Sequence, residues 1–307
     1  MDLTFLPSYT LTVLRSYYFY PEMIKIIECP RDAMQGLHQF VPTELKARYI
    51  NKLLQVGFDT IDFGSFVSSK AIPQMSDTAE VLKQLNLSGS TSKLLAIVAN
   101  TRGASDAVQF EEINFLGYPF SVSETFQLRN TNATIEESLH RVAEIQEICM
   151  ANNRKLVVYL SMGFGNPYGD PWNVEIVQHW VDHLAEMGIK ILALSDTIGV
   201  SNPENISYLF SNLIPPYPDV EFGAHLHTQP HNWREKIEAA YISGCRRFDA
   251  AMKGYGGCPM AKDELTGNMP TEHLISYFDD QKIDLGINRE AFLDAMALVP
   301  EVFTGRD

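Results

Sequence analysis

The chain has 307 residues, of which 45% are hydrophobic and 20% are charged. A chain of this size and composition buries one large core, which excludes an intrinsically disordered protein. Its 38 acidic side chains outnumber its 24 basic ones and give a formal net charge of −14. Because such a surface repels phosphate backbones, we expect no nucleic acid among its partners, whereas a small anionic substrate in a locally basic cleft stays compatible.

The four cysteines, Cys29, Cys149, Cys245 and Cys258, form neither a CxxC pair nor a dense framework. This usage is typical of a reduced compartment, and we expect a cytoplasmic protein. No apolar run reaches the length of a membrane span, so we expect no membrane partner. Residues 1–22 are rich in aromatic side chains but lack the order of a signal peptide. We expect them to form an N-terminal arm, packed on the rest of the fold or on a partner subunit.

A helix, a glycine and a short apolar strand recur along the remainder of the chain. The glycines at 57, 188 and 244 stand where the end of a helix favours a left-handed residue. Strands are predicted near Met23–Glu28, Thr60–Phe63, Leu94–Val98, Tyr118–Ser123, Lys155–Ser161, Lys190–Leu194, Val220–His225 and Arg247–Ala251. Helices are predicted near 43–56, 77–86, 103–111, 134–152, 173–187, 203–213 and 231–243.

Strands that alternate with helices pair in parallel. Eight such units predict a single α/β domain over residues 23–307, a TIM (β/α)8 barrel with a C-terminal helical segment. An open, doubly wound sheet is the alternative. No glycine-rich phosphate-binding fingerprint follows the first predicted strand, which favours the barrel.

In a TIM barrel, polar residues that follow the strands face the active site. This chain places carboxylates, two histidines, an arginine and a thiol at such positions. They are Arg31, Asp32 and Gln35 after strand 1, Asp62 at strand 2, Asp196 and Thr197 after strand 6, His225 and His227 at strand 7, and Cys258 and Asn268 after strand 8. The set predicts an active site at that end of the barrel.

His225 and His227 are the strongest local signal for a metal site. Residues two apart on a strand point to the same side, although two histidines held by ordinary hydrogen bonds would show the same spacing. Asp32 favours the metal, because strands 8 and 1 close the ring beside strand 7. Two imidazoles and a carboxylate, with or without the amide of Asn268, lack thiolate and suit Mg²⁺ or Mn²⁺ rather than structural zinc.

A second histidine pair, His179 and His183, has helical spacing. It does not form an HExxH motif, and its helix is expected on the outer ring of the barrel, so we expect a solvated face there instead of a metal site.

Three further residues have more than one interpretation. Arg31 either pairs with Asp32 or stabilises a developing oxyanion. Asp62 is either a structural acceptor for Arg31 or a base for a substrate hydroxyl. Cys258 lies among three glycines and a proline, which indicates a mobile loop that carries a reactive thiol. The other three cysteines are expected to be inert.

These motifs together resemble the 3-hydroxy-3-methylglutaryl-CoA lyase family, within a wider group of metal-dependent barrel lyases and acyl-CoA condensing enzymes. The resemblance covers roughly residues 23–290. It rests on CPRDAMQG (29–36), IDFGSFVSSKAIPQMSD (61–77), SETFQLRNTNATIEES (123–138), LSDTIGV (194–200), HLH (225–227) and GYGGCPMA…TGN (254–268). The segment with Lys70, Pro73 and Gln74 is similar to the lyases rather than to the citrate-type synthases.

The resemblance implies a role for each matching position. Asp32, His225, His227 and Asn268 would bind the divalent metal. Arg31 would polarise the thioester carbonyl and Cys258 would serve in proton transfer. Gln35 and Asp196, with the neighbouring Thr197, would contact the substrate or the groups that hold it.

The chain departs from the family pattern at four places. Asp62 stands where the family usually has Glu, and Ala33 where it usually has Gly. Thr228 follows the second metal histidine in place of Asp, and the segment between Cys258 and Asn268 is one residue longer and poorer in glycine than usual. These departures leave the identity of the acyl-CoA substrate open.

The expected function is therefore a carbon–carbon lyase that cleaves a 3-hydroxy-acyl-CoA. For the family substrate, the products would be acetyl-CoA and acetoacetate. One alternative is a synthase of the same group that condenses a keto acid with acetyl-CoA. Another is a barrel that binds the metal or an acyl-CoA without turnover. We also expect a homodimer, because barrels commonly associate with closed symmetry.

Overall fold

A computed structural model describes residues 23–257 and 266–303. Eight parallel strands form a closed barrel surrounded by helices, which confirms the predicted TIM barrel and excludes the open doubly wound sheet. The expected N-terminal arm (1–22) and Cys258 lie outside the described residues. Within the part of the chain that the structure covers, no helix is both long and apolar enough to cross a bilayer.

The barrel strands follow one another in chain order around the ring, and the last pairs with the first. They are β1 (Lys25–Glu28), β2 (Thr60–Ser65), β3 (Lys93–Ile97), β4 (Ile113–Ser121), β5 (Lys155–Ser161), β6 (Ile191–Ser195), β7 (Glu221–His225) and β9 (Arg247–Ala250). A small apolar cluster that includes Leu95, Val157 and Ile191 fills the interior of the ring. A larger cluster packs the outside of the strands against the helices.

Most helices surround the barrel, and two short ones begin directly after barrel strands. They are α1 (Pro30–Gln35), α2 (Thr43–Leu53), α3 (Thr78–Leu82), α4 (Thr101–Ala107), α5 (Glu124–Thr131), α6 (Ile135–Ala151), α7 (Val174–Glu186), α8 (Pro203–Leu213), α9 (Trp233–Ile242), α10 (Thr271–Asp280) and α11 (Arg289–Phe303). The sequence analysis missed the short α1 and α5. Both begin directly after a strand, so their few residues show no amphipathic period of their own.

Two strands are longer than predicted, and one of the differences matters for the site. β4 begins five residues before its predicted start. β2 continues to Ser65, so Asp62 lies in the middle of the strand and not at its end. The side chain of Asp62 therefore points into the barrel below the rim, where it is 1% exposed.

A two-stranded antiparallel ribbon lies at the C-terminal ends of the barrel strands. It pairs β8 (His227–Thr228) with β10 (Gly267–Asn268), and Asn268 stands directly opposite His227. Gly256 approaches this ribbon closely, because an added Cβ there would lie 2.7 Å from the amide nitrogen of Asn268 and 2.8 Å from the carbonyl oxygen of Asp32. The segment after β9 thus packs directly against the rim of the barrel.

Glu28, at the end of β1, contacts described residues on both sides of the segment that contains Cys258. Its carboxylate accepts hydrogen bonds from the backbone N–H of Met252 (2.9 Å) and from the hydroxyl of Thr271 (2.6 Å). Complete burial raises the pKa of Glu28 to about 8, although these two hydrogen bonds oppose the shift. The native fold therefore holds this carboxyl in its protonated form over part of the neutral range.

This burial makes the stability of the fold depend on pH. The native pKa of Glu28 lies above its unfolded value of 4.5, so the native state binds the extra proton between the two values. The contribution of Glu28 to stability is complete below the unfolded pKa and declines as the pH rises towards about 8. Glu28→Gln removes the titration, so its free energy of unfolding should fall less than that of the wild type between about pH 5 and about pH 8.

Urea unfolding at the two pH values measures this difference. Glu136→Gln on the exposed face of α6 is the matched control and should follow the wild type. Parallel pH profiles for Glu28→Gln and the wild type would contradict the assignment.

Candidate metal centre and active-site pocket

The predicted metal ligands meet at the C-terminal rim of the barrel. Asp32 lies on α1, His225 ends β7 and His227 begins β8. One ligand atom from each of the three lies within 4.8 Å of the other two, which is close enough for a single ion to bind all three. The pairing of β1 with β9, and of β9 with β7, brings these distant parts of the chain together.

The two imidazoles differ in their surroundings and in their pKa values. His225 Nδ1 is hydrogen-bonded to Asp249 Oδ2 at 3.0 Å, which leaves Nε2 for an ion. Burial lowers the pKa of His225, but the hydrogen bond to Asp249 and its charge outweigh that effect and raise the pKa overall. Burial, together with the charge of His225, lowers the pKa of His227 to about 4, so this ring is neutral at physiological pH. The Nδ1 atom of His227 is buried without a hydrogen-bond partner among the described residues.

Asp32 supplies an anionic oxygen that neighbouring side chains hold in place. Its Oδ1 accepts hydrogen bonds from Arg31 (3.0 Å) and Gln35 (2.7 Å), and its Oδ2 accepts one from the amide nitrogen of Asn268 (2.7 Å). Burial alone would raise the pKa of Asp32, but the charges of Arg31 and His225 lower it overall. The amide nitrogen of Asn268 also bonds the carbonyl of Tyr255, so the amide oxygen remains for an ion. This mixed nitrogen and oxygen set fits a divalent metal.

Arg31 is held in a fixed orientation beside these ligands. Its Nε and Nη2 donate to the carboxylate of Asp62 at 2.5 to 3.2 Å, while its Nη1 donates to Asp32 and Gln35. Burial raises the pKa of Asp62 to about 6, against the opposing charge of Arg31. Asp62 does not line the pocket. Of its two interpretations, the geometry favours the acceptor for Arg31 over the base that touches a substrate hydroxyl.

The structure separates Asp196 and Thr197. Asp196 is buried away from the pocket, where its carboxylate accepts hydrogen bonds from Lys236 Nζ (2.8 Å) and from the N–H and hydroxyl of Ser201. Lys236 also donates to the carbonyl of His227 (2.9 Å), so this buried ion pair supports a metal ligand from behind. Of the two contacts expected for Asp196, the geometry favours the one with groups that hold the site over a direct contact with substrate. Thr197 lines the pocket and accepts a hydrogen bond from the Met162 N–H.

A pocket of about 460 Å³ opens beside the metal ligands. Arg31, Asp32, Gln35 and the two histidines form its inner end. Serine and asparagine side chains from the ends of several strands line its wall, together with Tyr159. The last residues of α5 and the αL residue after it form its outer rim, where Arg129 is exposed.

The other candidate groups lie elsewhere. His179 is exposed on α7 and its ring contacts His183, as expected for an outer helix. Cys29, Cys149 and Cys245 are buried, and burial raises the pKa of each thiol. Cys258 lies outside the described residues, so its predicted role stays a prediction.

Three residues that the structure places at the site were not predicted from the sequence: Asp249 behind His225, Lys236 behind His227, and Arg129 at the pocket rim. A signal for Asp249 existed, because a carboxylate inside the otherwise apolar strand FDAAM is unusual. Arg129 lies in the motif at 123–138, but its residue type alone did not indicate a role, and no signal distinguished Lys236 from an ordinary surface cation on a helix.

A family model described as HMGL-like matches residues 24–299. The chain belongs to the HMGL-like family. The resemblance inferred from the separated motifs is thereby confirmed, since the match covers nearly the whole barrel.

Named relatives cover the same range. The chain is 32% identical over 278 residues to the cytoplasmic 3-hydroxy-3-methylglutaryl-CoA lyase of Homo sapiens, covering 90% of this chain and 74% of the relative. It is 31% identical over 283 residues to the hydroxymethylglutaryl-CoA lyase of Bacillus subtilis, covering 92% and 94%. Among solved structures, an HMG-CoA lyase of Acinetobacter baumannii, in complex with coenzyme A and 3-methylmalate, matches with a TM-score of 0.85 and 30% identity over 92% of both chains.

Proposed function

We propose that this protein is a carbon–carbon lyase that cleaves 3-hydroxy-3-methylglutaryl-CoA into acetyl-CoA and acetoacetate with the help of a divalent metal. The observation that carries the proposal is the convergence of Asp32, His225 and His227 at the inner end of a pocket, with Arg31 fixed beside them. Family membership supports a lyase, and the named relatives support this substrate. The coenzyme A complex of the A. baumannii enzyme supports an acyl-CoA.

The donor set favours Mg²⁺ or Mn²⁺ as the metal, held by Asp32, His225, His227 and the amide oxygen of Asn268. When bound, such an ion acts as a Lewis acid towards the hydroxyl and carboxylate oxygens of a substrate. The protein contributes the orientation of the ligands, because Asp249 fixes His225 while Arg31 and Gln35 fix Asp32.

In the net reaction, the 3-hydroxyl gives up one proton, C2 gains one, and the electron pair of the C2–C3 bond passes to the thioester side. The 3-hydroxyl loses its proton and becomes the ketone of acetoacetate, while the C2–C3 bond breaks towards the thioester. The resulting enolate gains a proton at C2 to give acetyl-CoA. The guanidinium of Arg31 would stabilise the enolate oxygen. Asp62 and Asp32 fix the orientation of this guanidinium before the substrate binds.

Roles for three predicted residues follow from this arrangement. We assign Asp62 to the orientation of Arg31, since it lies under the guanidinium and away from the pocket. Cys258 is our candidate for the proton donor to C2, and Thr197 and Gln35 for contacts at the inner end of the pocket. A cytoplasmic location and a homodimer stay predictions of the sequence.

A cleavage assay tests the proposal and its two alternatives. With Mg²⁺ or Mn²⁺, the protein should release acetoacetate and acetyl-CoA in equal amounts from 3-hydroxy-3-methylglutaryl-CoA. EDTA should abolish the release, and excess metal should restore it. Condensation of a keto acid with acetyl-CoA, without cleavage, would favour the synthase. Tight acyl-CoA binding without turnover in either direction would favour the binding protein, and either result would contradict the lyase.

Arg129 supports a substrate that carries phosphates. It is the second arginine of the pocket, and unlike Arg31 it has no carboxylate at ion-pair distance within 23–257 and 266–303. Its guanidinium lies 4.7 Å from the ring centre of Tyr168, which holds it at the rim. In a chain with a net charge of −14, this cation at the mouth of the pocket provides a local site for an anion.

Arg129→Met should therefore raise KM for the CoA thioester by about twofold to fivefold and leave kcat unchanged, as expected for an exposed charge pair. A thioester of pantetheine, which lacks the phosphates, should show no change. Arg31→Met should instead lower kcat on both substrates. Arg102→Met, at an exposed arginine on α4 that does not line the pocket, is the matched control. An equal KM effect on both thioesters would contradict phosphate recognition by Arg129.

A further inference from the structure

A charged residue occupies the interior of this barrel, where large apolar side chains usually pack. Arg247 on β9 is 1% exposed and is among the largest fully buried side chains of the protein. Its Nη1 reaches Glu221 Oε1 at a distance of 3.5 Å. Its Nε and Nη2 have no hydrogen-bond partner within the described part of the chain. A buried guanidinium with two unsatisfied N–H groups requires a physical explanation.

Small residues make room for this side chain. In the register of the sheet, Tyr159, Ala193, Gly223 and Arg247 occupy one row on β5, β6, β7 and β9. A Cβ added at Gly223 would lie 3.1 Å from Cδ and 3.3 Å from Cγ of Arg247, so the arginine stem lies directly over the glycine. With only Ala193 and Gly223 between them, the guanidinium and the phenol of Tyr159 share the same interior space.

The neighbouring polar atoms are complementary to Arg247. The hydroxyl of Tyr159 and Oδ1 of Asp249 are both buried without a hydrogen-bond partner among the residues described. Asp249 follows Arg247 by two positions on β9, so both side chains point into the barrel. The interior thus holds two donor nitrogens of Arg247, one carboxylate acceptor, and one hydroxyl that can both donate and accept. Buried groups of this kind are commonly joined by a water molecule with about three hydrogen bonds.

We propose that Arg247 is a positioning residue for the metal centre: through a buried water shared with Tyr159, it fixes the Asp249 carboxylate and thereby the ring of His225. Asp249 would then be held at both oxygens, since His225 Nδ1 already bonds Oδ2. A carboxylate that cannot rotate keeps Nε2 of His225 directed at the ion. The inference rests on the proposed metal centre but not on the substrate.

The electrostatics of the interior support this arrangement. Burial lowers the pKa of Arg247, but the neighbouring acidic groups, of which Asp249 has the largest effect, together outweigh it and raise the pKa overall, so the guanidinium stays charged. Tyr159 also contacts His225 directly, with ring centres 5.7 Å apart and nearly perpendicular planes. Arg247, Tyr159 and Asp249 therefore form one group behind a single metal ligand.

The test measures Mn²⁺ affinity, which requires no turnover. Equilibrium dialysis or the EPR signal of free Mn²⁺ gives the dissociation constant for each variant, and thermal unfolding is recorded in parallel. Arg247→Met should weaken Mn²⁺ binding by about tenfold to a hundredfold, the usual range for loss of a group that orients a metal ligand. Arg247→Lys, which keeps the charge, should restore part of the affinity. Tyr159→Phe removes one oxygen atom and should weaken Mn²⁺ binding by about threefold.

Lys25→Met is the matched control. Lys25 donates to Glu221 Oε2 at 2.6 Å, and Glu221 also accepts from Arg247. Lys25 is thus linked to Arg247 through Glu221, but it lies at the end of the barrel opposite the metal ligands. Its loss should lower the unfolding temperature without changing Mn²⁺ affinity. Should Arg247→Met fail to fold, Arg247→Lys and Tyr159→Phe still decide the question.

Wild-type Mn²⁺ affinity in folded Arg247→Met, or in both Arg247→Lys and Tyr159→Phe, would overturn the inference and leave Arg247 a structural residue. A wild-type protein that binds no Mn²⁺ would instead refute the metal centre itself, so the two failures are distinguishable. A crystal structure at about 1.5 Å should also show one ordered water within hydrogen-bond distance of Arg247, Tyr159 and Asp249. Its absence would equally contradict the proposal.

Discussion

Parallel pairing of β1 with β9 closes the barrel, and the site depends on that closure. Asp32 lies nearly two hundred residues before His225 in the sequence, and only the closed ring makes them neighbours. The Asp32 carboxylate accepts a hydrogen bond from Asn268, and Asn268 pairs with His227 in the two-stranded ribbon. The predicted metal ligands therefore all lie near the place where the two ends of the sheet meet.

The same end of the barrel concentrates charges that an apolar core would exclude. Arg31, Asp62, Asp249, Lys236 and Asp196 are all buried at the rim or just below it. Burying ions carries a desolvation cost that their mutual attraction only partly offsets, so such networks are weak evidence for stability. Here they fix the orientation of other groups: Asp62 holds Arg31, Asp249 holds His225, and Lys236 holds the carbonyl of His227. The buried charges thus make the core less stable, but they orient the ligands of the site before an ion or substrate binds.

The sequence predicted the barrel because helices that end in glycine and short apolar strands recur along the chain. It also predicted Asp32, His225 and His227 together, since residues at strand ends converge in any parallel barrel. The sequence did not predict how far some of these residues lie from the pocket. Asp62 was placed at a strand end, but two more residues of β2 set it below the rim. The position of Asp196 after a strand is typical of a pocket residue, but its carboxylate binds Lys236, which lies forty positions later in the chain. Contacts between distant residues of this kind leave no periodic signal in a single sequence.

The central claim is that Asp32, His225, His227 and Asn268 hold one divalent ion at the inner end of the pocket. Crystals grown with Mn²⁺ test it directly through the anomalous signal of the metal. The account predicts a single strong peak about 2.0 to 2.3 Å from one oxygen of Asp32, one nitrogen of each histidine and the amide oxygen of Asn268. A peak at the exposed pair His179 and His183, or no peak beside Asp32 at saturating Mn²⁺, would contradict it.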